Sequence, residues 1–252
     1  MGSFEHVEAI PNSMVNSGEL RMRIAAVIDN SPVKPMVVRF FRSQMLNMIS
    51  IALSGLDVET RPSRRTYALF KAIKDREKQV YPQMPGYRAE LVNKTPMFQS
   101  LDLVVTERLP DALRCEKFAF GNFPLSFIVE FFAQANPSDF FGDACIIDED
   151  VPSDALIPGI IIFSKRSKAL AGWMSGIELA FVKAMMEKQL VVFECELNTV
   201  YRFADIDNLI KNDARRFQSA KDAVGGLHFL AIQQSEESDE VDGFWLLTES
   251  SS

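Results

Sequence analysis

The chain has little of what most catalytic and metal sites are made from. There are only 2 histidines, His6 and His228, and 3 cysteines, Cys115, Cys145 and Cys195, in 252 residues. The cysteines are far apart, an odd number cannot all pair, and there is no CxxC or Cys/His cluster. These counts argue against structural zinc and a disulfide framework, and for a reducing compartment with free thiols. GxSxG, Walker, GxGxxG and HExxH strings are also absent, so no catalytic residue and no cofactor is expected. A dyad of His228 with one cysteine is the remaining nucleophilic arrangement. A histidine between Leu227 and Phe229 reads more simply as a packed one. Asp148-Glu149-Asp150 lacks further ligands at EF-hand spacing and reads as a solvated acidic loop, with no metal expected.

Long hydrophobic runs are missing too. The most apolar stretches, 156–163 and 189–193, are too short to span a bilayer, so no membrane insertion is expected. The first residues carry neither a basic n-region nor an apolar h-region, and His6 breaks the myristoylation pattern. The expectation is a soluble, intracellular protein that is not secreted. Basic charge is not in excess either. The formal net charge is -7, and residues 235–252 hold six acids and no base, so the body comes out at -1. A nearly neutral body argues against a dedicated DNA-binding domain.

What is present is apolar and rich in phenylalanine, with 20 Phe against 4 Tyr and 2 Trp. Residues 1–19 read as a loose leader. Leu20-Arg21-Met22-Arg23-Ile24 alternates, which predicts a short strand to about Ile28. Residues 36–54 are apolar over more than half a helical circumference, which predicts a buried helix. Further helices are expected over 63–80, from Thr95-Pro96 to about Val105, over 165–188, where Gly172 and Gly176 lie four apart, and from Asp205 or Asp207 to about 224. Residues 125–132 and 190–193 are buried segments of either type, and 81–96 is a loop that marks a lobe boundary. From Gln233 onward the chain turns polar and acidic. The pattern predicts a mainly α fold: a compact helical domain over 20–232 with few strands, then a disordered acidic tail over 233–252.

Three segments suggest binding. In the tail, Asp239, Glu240 and Asp242 precede Phe244, Trp245, Leu246 and Leu247. Acids that steer and aromatic residues that anchor suit docking into a grooved partner protein. Phe140-Phe141-Gly142-Asp143 puts two rings on an expected loop, like short groove-docking motifs. Arg61, Arg64, Arg65, Lys71, Lys74 and Lys78 form a basic surface, with Arg64 and the three lysines on one helical face; it suits RNA phosphates or an acidic protein. The residues thus favour a non-enzymatic protein-binding protein, with homo-oligomers also open. The alternatives are a viral structural protein of nucleoprotein or matrix type, binding RNA or membrane through the 61–78 helix, and an enzyme without a readable motif.

Three local features resemble the nonstructural NSs proteins of phleboviruses. They are Leu109-Pro110-Asp111-Ala112-Leu113 followed by Gly121-Asn122-Phe123-Pro124-Leu125-Ser126-Phe127; Ser175-Gly176-Ile177-Glu178-Leu179; and Asp242-Gly243-Phe244-Trp245-Leu246-Leu247. The resemblance implies a mainly helical viral interferon antagonist that sequesters host transcription or innate-immune proteins. It implies the host cytoplasm or nucleus as its place of action.

Overall fold

The computed structural model describes residues 4–41, 43–89, 105–136, 138–147 and 150–249. The chain divides into two units, Met1–Tyr87 and Arg88–Ser252. Among the described residues there are six α-helices and eleven strands, and the strands form three sheets. The expected mainly helical fold is therefore corrected to a mixed α/β one.

The first unit begins with α1, Ser17–Asn30. A strand was expected there from the alternation of 20–24. The stronger local signal is the Asn16-x-x-Glu19 pattern: the Asn16 side chain accepts the Glu19 N–H at 2.9 Å and starts a helix. The expected buried helix over 36–54 is two elements, β1 (Val37–Phe40) and α2 (Leu46–Leu53). A continuous apolar run carries no period that separates a strand from a helix. The next strand, β2 (Glu59–Pro62), pairs in parallel with β1. Helix α3, Tyr67–Gln79, follows a four-residue turn. Burial in this unit is thin: Phe40, Ala52, Leu53 and Phe70 are its only buried apolar residues among those described. Arg21 ties α1 to α2, with its guanidinium donating to the carbonyls of Ala52 and Ile51 at 2.9 and 2.8 Å.

The second unit is built on a five-stranded sheet in the order β4-β6-β10-β11-β5. These strands are Lys117–Pro124, Leu156–Phe163, Leu227–Gln233, Val241–Thr248 and Phe141–Ala144. The remaining sheet has the order β3-β9-β8-β7, from Thr106–Arg108, Thr199–Asp205, Leu190–Cys195 and Leu179–Met185. Three helices complete the unit: α4 (Leu125–Gln134), α5 (Ser167–Gly176) and α6 (Lys211–Ala223). The helix expected over 165–188 is therefore split. It stops at Gly176, turns through Glu178 at φ 45, and continues as β7. The helix expected from Thr95-Pro96 lies outside the described residues apart from Val105.

The period of two assigns the two faces of the five-stranded sheet. Leu230 and Trp245 are register partners; with Ile160, Ile162, Ile232 and Leu247 they join the main core, which also takes in α5, α6 and β7–β8. Phe229 and Phe244 point the other way and stack at 5.4 Å. There they meet Phe123 and, from α4, Phe131 and Phe132, at ring separations of 5.0 to 5.4 Å. Gly159 is required in this layer, because a Cβ there would fall on the Phe229 ring.

The expected disordered tail is β11, an inner strand of this sheet. Six acids made residues 235–252 look unable to fold, but the acids and the apolar residues occupy different places. Glu236, Glu237, Asp239 and Glu240 lie in the exposed β10–β11 connection, while 242–247 is a buried strand.

Candidate nucleic-acid interface

The basic cluster is split by the chain into three settings. Arg61 lies in β2 beside its register partner Arg39, and its guanidinium pairs with Glu59 at 2.7 Å. Arg64 and Arg65 are in the β2–α3 turn. The sequence placed Arg64 on the lysine face of a helix, but α3 starts only at Tyr67, and Arg64 is 6% exposed. Burial brings its guanidinium down to about 10. The Arg65 N–H donates to Ser63 Oγ at 3.0 Å, which shapes the turn. Lys71, Lys74 and Lys78 all lie on α3 and are all exposed. Their spacing of three and four residues puts them on one face, which spans about 10 Å at 1.5 Å per residue. Phe70, one turn before Lys74, is buried beside this face, and its ring lies 5.2 Å from Phe41.

Charge is divided between the units. Residues 1–87 hold 12 basic against 8 acidic residues, a net charge of +4. Residues 88–252 hold 15 against 26, a net charge of -11. The near-neutral body inferred from the sequence is thus an average over two unlike parts, and it hid a basic unit.

The other expected site residues sit elsewhere. Asp239 and Glu240 are exposed, Asp242 is buried, and Phe244, Trp245, Leu246 and Leu247 are all at most 3% exposed. The aromatic anchors thus fill the protein's own core, and the free docking tail is corrected. Phe140-Phe141-Gly142-Asp143 is not a loop motif but leads into β5, whose Gly142 pairs with Phe244 in register. A Cβ at Gly142 would collide with the Phe244 carbonyl, so glycine there serves strand pairing. Phe140 packs on Phe131 at 5.4 Å, and Phe141 is 44% exposed. Of the acidic triad, Asp148 and Glu149 lie outside the described residues.

His228 is fully buried, and its ring is fixed by main chain. The Val182 N–H donates to Nε2 at 2.9 Å, and Nδ1, protonated in that arrangement, donates to the Gly226 carbonyl at 2.8 Å. Burial, assisted by the Lys221 charge, lowers its pKa to about 3, so it is neutral at pH 7. Lys221, also fully buried, donates to the Val182 carbonyl at 2.8 Å and pairs with Glu249, which also binds Lys183 at 2.8 Å. His228 and Lys221 therefore hold both main-chain polar groups of one β7 residue, Val182. Burial raises the Cys115 thiol to about 11 and pushes Cys195 up as well, the opposite of activation. This cluster is not legible along the chain, since its members lie up to 67 positions apart, from Val182 to Glu249.

Fold and charge together define a two-unit α/β protein that separates a basic surface from an acidic one. The chain belongs to the Tab2/Atab2 RNA-binding protein family. The family's C-terminal domain matches residues 97–248 and its N-terminal domain residues 1–76. A protein of Arabidopsis thaliana named "Protein TAB2 homolog, chloroplastic" is 34% identical over 251 residues, covering 97% of this chain and 66% of that protein. The Zea mays protein of the same name is also 34% identical over 251 residues, covering 97% of this chain and 63% of its own length. The chain thus spans about two thirds of the length of these relatives. No solved structure matches.

This membership overturns the resemblance to phlebovirus NSs proteins. With it go the viral source, the interferon-antagonist function, the host-protein partners and the host cytoplasm or nucleus. The three segments behind the resemblance are general structural parts: the turn and strand leading into α4, the end of α5, and core strand β11. Among the described residues, no helix is long and apolar enough to cross a membrane.

Proposed function

We propose that this chain binds RNA through the basic surface of its first unit, with Lys71, Lys74 and Lys78 as the main phosphate contacts. The observation that carries the reading is the charge division within a member of an RNA-binding family: +4 on residues 1–87 against -11 on the rest. Phosphate contacts dominate RNA affinity, and three exposed lysines on one helical face neutralise a backbone without reading sequence. We read the protein as a binder rather than an enzyme, in keeping with a neutral, main-chain-bound His228 and thiols held protonated. The word chloroplastic in the names of both relatives supports the chloroplast as its place of action.

The test is fluorescence anisotropy with a 20-nucleotide single-stranded RNA over a salt series. Reversing Lys71, Lys74 and Lys78 to Glu should weaken binding by about two orders of magnitude. It should also reduce the slope of log affinity against log salt by about 2. Unchanged affinity and slope would remove the lysine row from the interface.

A further inference from the structure

The lysine helix runs directly into a segment of the opposite character. Val80-Tyr81-Pro82-Gln83-Met84-Pro85-Gly86-Tyr87 contains no charged residue and closes the basic unit. Its main chain is folded in consecutive turns. The Val80 N–H donates to the Arg76 carbonyl at 2.9 Å and ends α3. Tyr81–Gln83 form a short 3-10 turn that contains Pro82. The Met84 N–H then donates to the Tyr81 carbonyl at 3.0 Å, and the Tyr87 N–H donates to the Met84 carbonyl at 3.2 Å. These bonds and two prolines restrain the segment before any ligand arrives, which lowers the entropy cost of binding to it.

This restrained segment keeps apolar surface outside. Val80 and Met84 are exposed, and Tyr81 between them is partly exposed. The Arg76 guanidinium lies over the Tyr81 ring, 5.5 Å from its centre, within the range of a cation–π contact. Arg76 shares the last turn of α3 with Lys78, and Tyr81 follows Lys78 by three residues. The end of the lysine row is therefore an aromatic ring with a planar cation on it. A ligand that uses both parts needs regularly spaced negative charge and flat apolar faces. Single-stranded RNA has both, since its unpaired bases stack on aromatic rings and guanidinium planes while its phosphates meet lysines. A duplex keeps its bases paired and stacked on one another, and an acidic protein surface would leave the ring unused.

We propose that the end of α3 is a base-stacking platform for single-stranded RNA, in which the Tyr81 ring, steadied by Arg76, takes one unpaired base. The inference rests on the RNA reading above and names the form of RNA that the basic unit selects. Phosphates on Lys71, Lys74 and Lys78 supply charge without discrimination, and the ring adds a preference for unpaired strand.

The experiment uses the full chain. A 20-nucleotide single-stranded RNA and the duplex of the same sequence are each bound over a salt series. Tyr81→Leu keeps an apolar side chain and removes the ring; Tyr81→Phe keeps the ring. Tyr81→Leu should weaken single-strand binding about tenfold, the scale of one lost base stack. Its salt slope should stay that of the parent, because no phosphate contact is removed. Duplex affinity should stay within about twofold, and Tyr81→Phe should match the parent on both ligands. In the unmutated protein, single-stranded RNA carrying 5-iodouridine is irradiated, and the cross-linked peptide is identified by mass spectrometry; it should contain Tyr81.

Parent affinity in Tyr81→Leu, beside a large loss in the lysine variant, would overturn the platform and leave the RNA reading standing. Equal losses on single strand and duplex, with a lowered thermal midpoint, would make Tyr81 structural and overturn it too. Cross-links confined to peptides outside residues 76–87 would have the same result without any substitution. Absence of RNA binding by the parent would sink both readings.

Discussion

The two units divide the work of this molecule by where each keeps its apolar surface and its charge. The first buries four apolar side chains among its described residues and carries a surplus of positive charge. The second buries Trp245, Phe193, Phe229 and a long run of isoleucines and leucines, and carries the acid. A thin core limits how much a unit can lose before it unfolds. The thick core of the second unit tolerates buried polar groups such as His228 and Lys221, because each is bonded. The comparison teaches that net charge and burial are properties of a unit, and a chain-wide average erases both.

The largest effect on stability is expected at the centre of the thick core. Trp245→Ala should lower the stability of the second unit by about 3–5 kcal/mol, as loss of a buried aromatic side chain does. Chemical denaturation followed by circular dichroism checks this. A loss under about 1 kcal/mol would mean that Trp245 is not packed at home, and the contrast between the units would fail.

Next comes pH. His228 has its pKa lowered to about 3 in the fold, against the usual 6.5. Below about 6.5 the unfolded chain takes up a proton that the folded one refuses, so stability falls as pH drops from 6.5 towards 3. Glu249 adds to the loss. Its burial alone would raise its pKa, but the charges and hydrogen bonds of Lys221 and Lys183 together hold it below the usual carboxylate value. Its contribution is present above the unfolded carboxylate range and is lost as pH falls through the depressed value. His228→Gln should flatten the decline between pH 6 and 4, read from denaturant midpoints. An unchanged decline would remove His228 as its cause.

The smallest effect belongs to the exposed acids. Glu236 pairs with Lys117 on the surface, with side chains 48% and 64% exposed. Glu236→Gln should change stability by under about 1 kcal/mol, since exposed pairs contribute little. A larger change in the same denaturation assay would show that the acidic connection is part of the structure rather than a solvated turn.

Parts of this architecture were legible in the sequence. The segment 190–193 does mark buried chain, and Gly225-Gly226 does follow α6, both at positive φ. Strand or helix was not decided by these signals. Inner strands flanked by layers on both faces lose their alternation and read like buried helix, as Leu190–Phe193 shows. Their β-branched content was the available clue. In the tail, four large apolar residues beside six acids were the visible anomaly; burial in β11 explains them more simply than docking. The lysines of the basic surface were legible because helical spacing fixes their face. Arg64 was misplaced because the helix start was set four residues early, at Ser63, before the turn that ends in Thr66.

The division between the units is tested most directly by comparing two triple charge reversals in RNA binding over a salt series. One replaces Lys71, Lys74 and Lys78 on α3. The other replaces Lys165, Arg166 and Lys168, which are equally exposed but lie on the acidic second unit. The expected result is a loss of about two orders of magnitude and a salt slope shallower by about 2 for the first, with affinity and slope within about twofold of the parent for the second. Equal losses from both, or a larger loss from the second, would contradict an RNA interface confined to the basic unit.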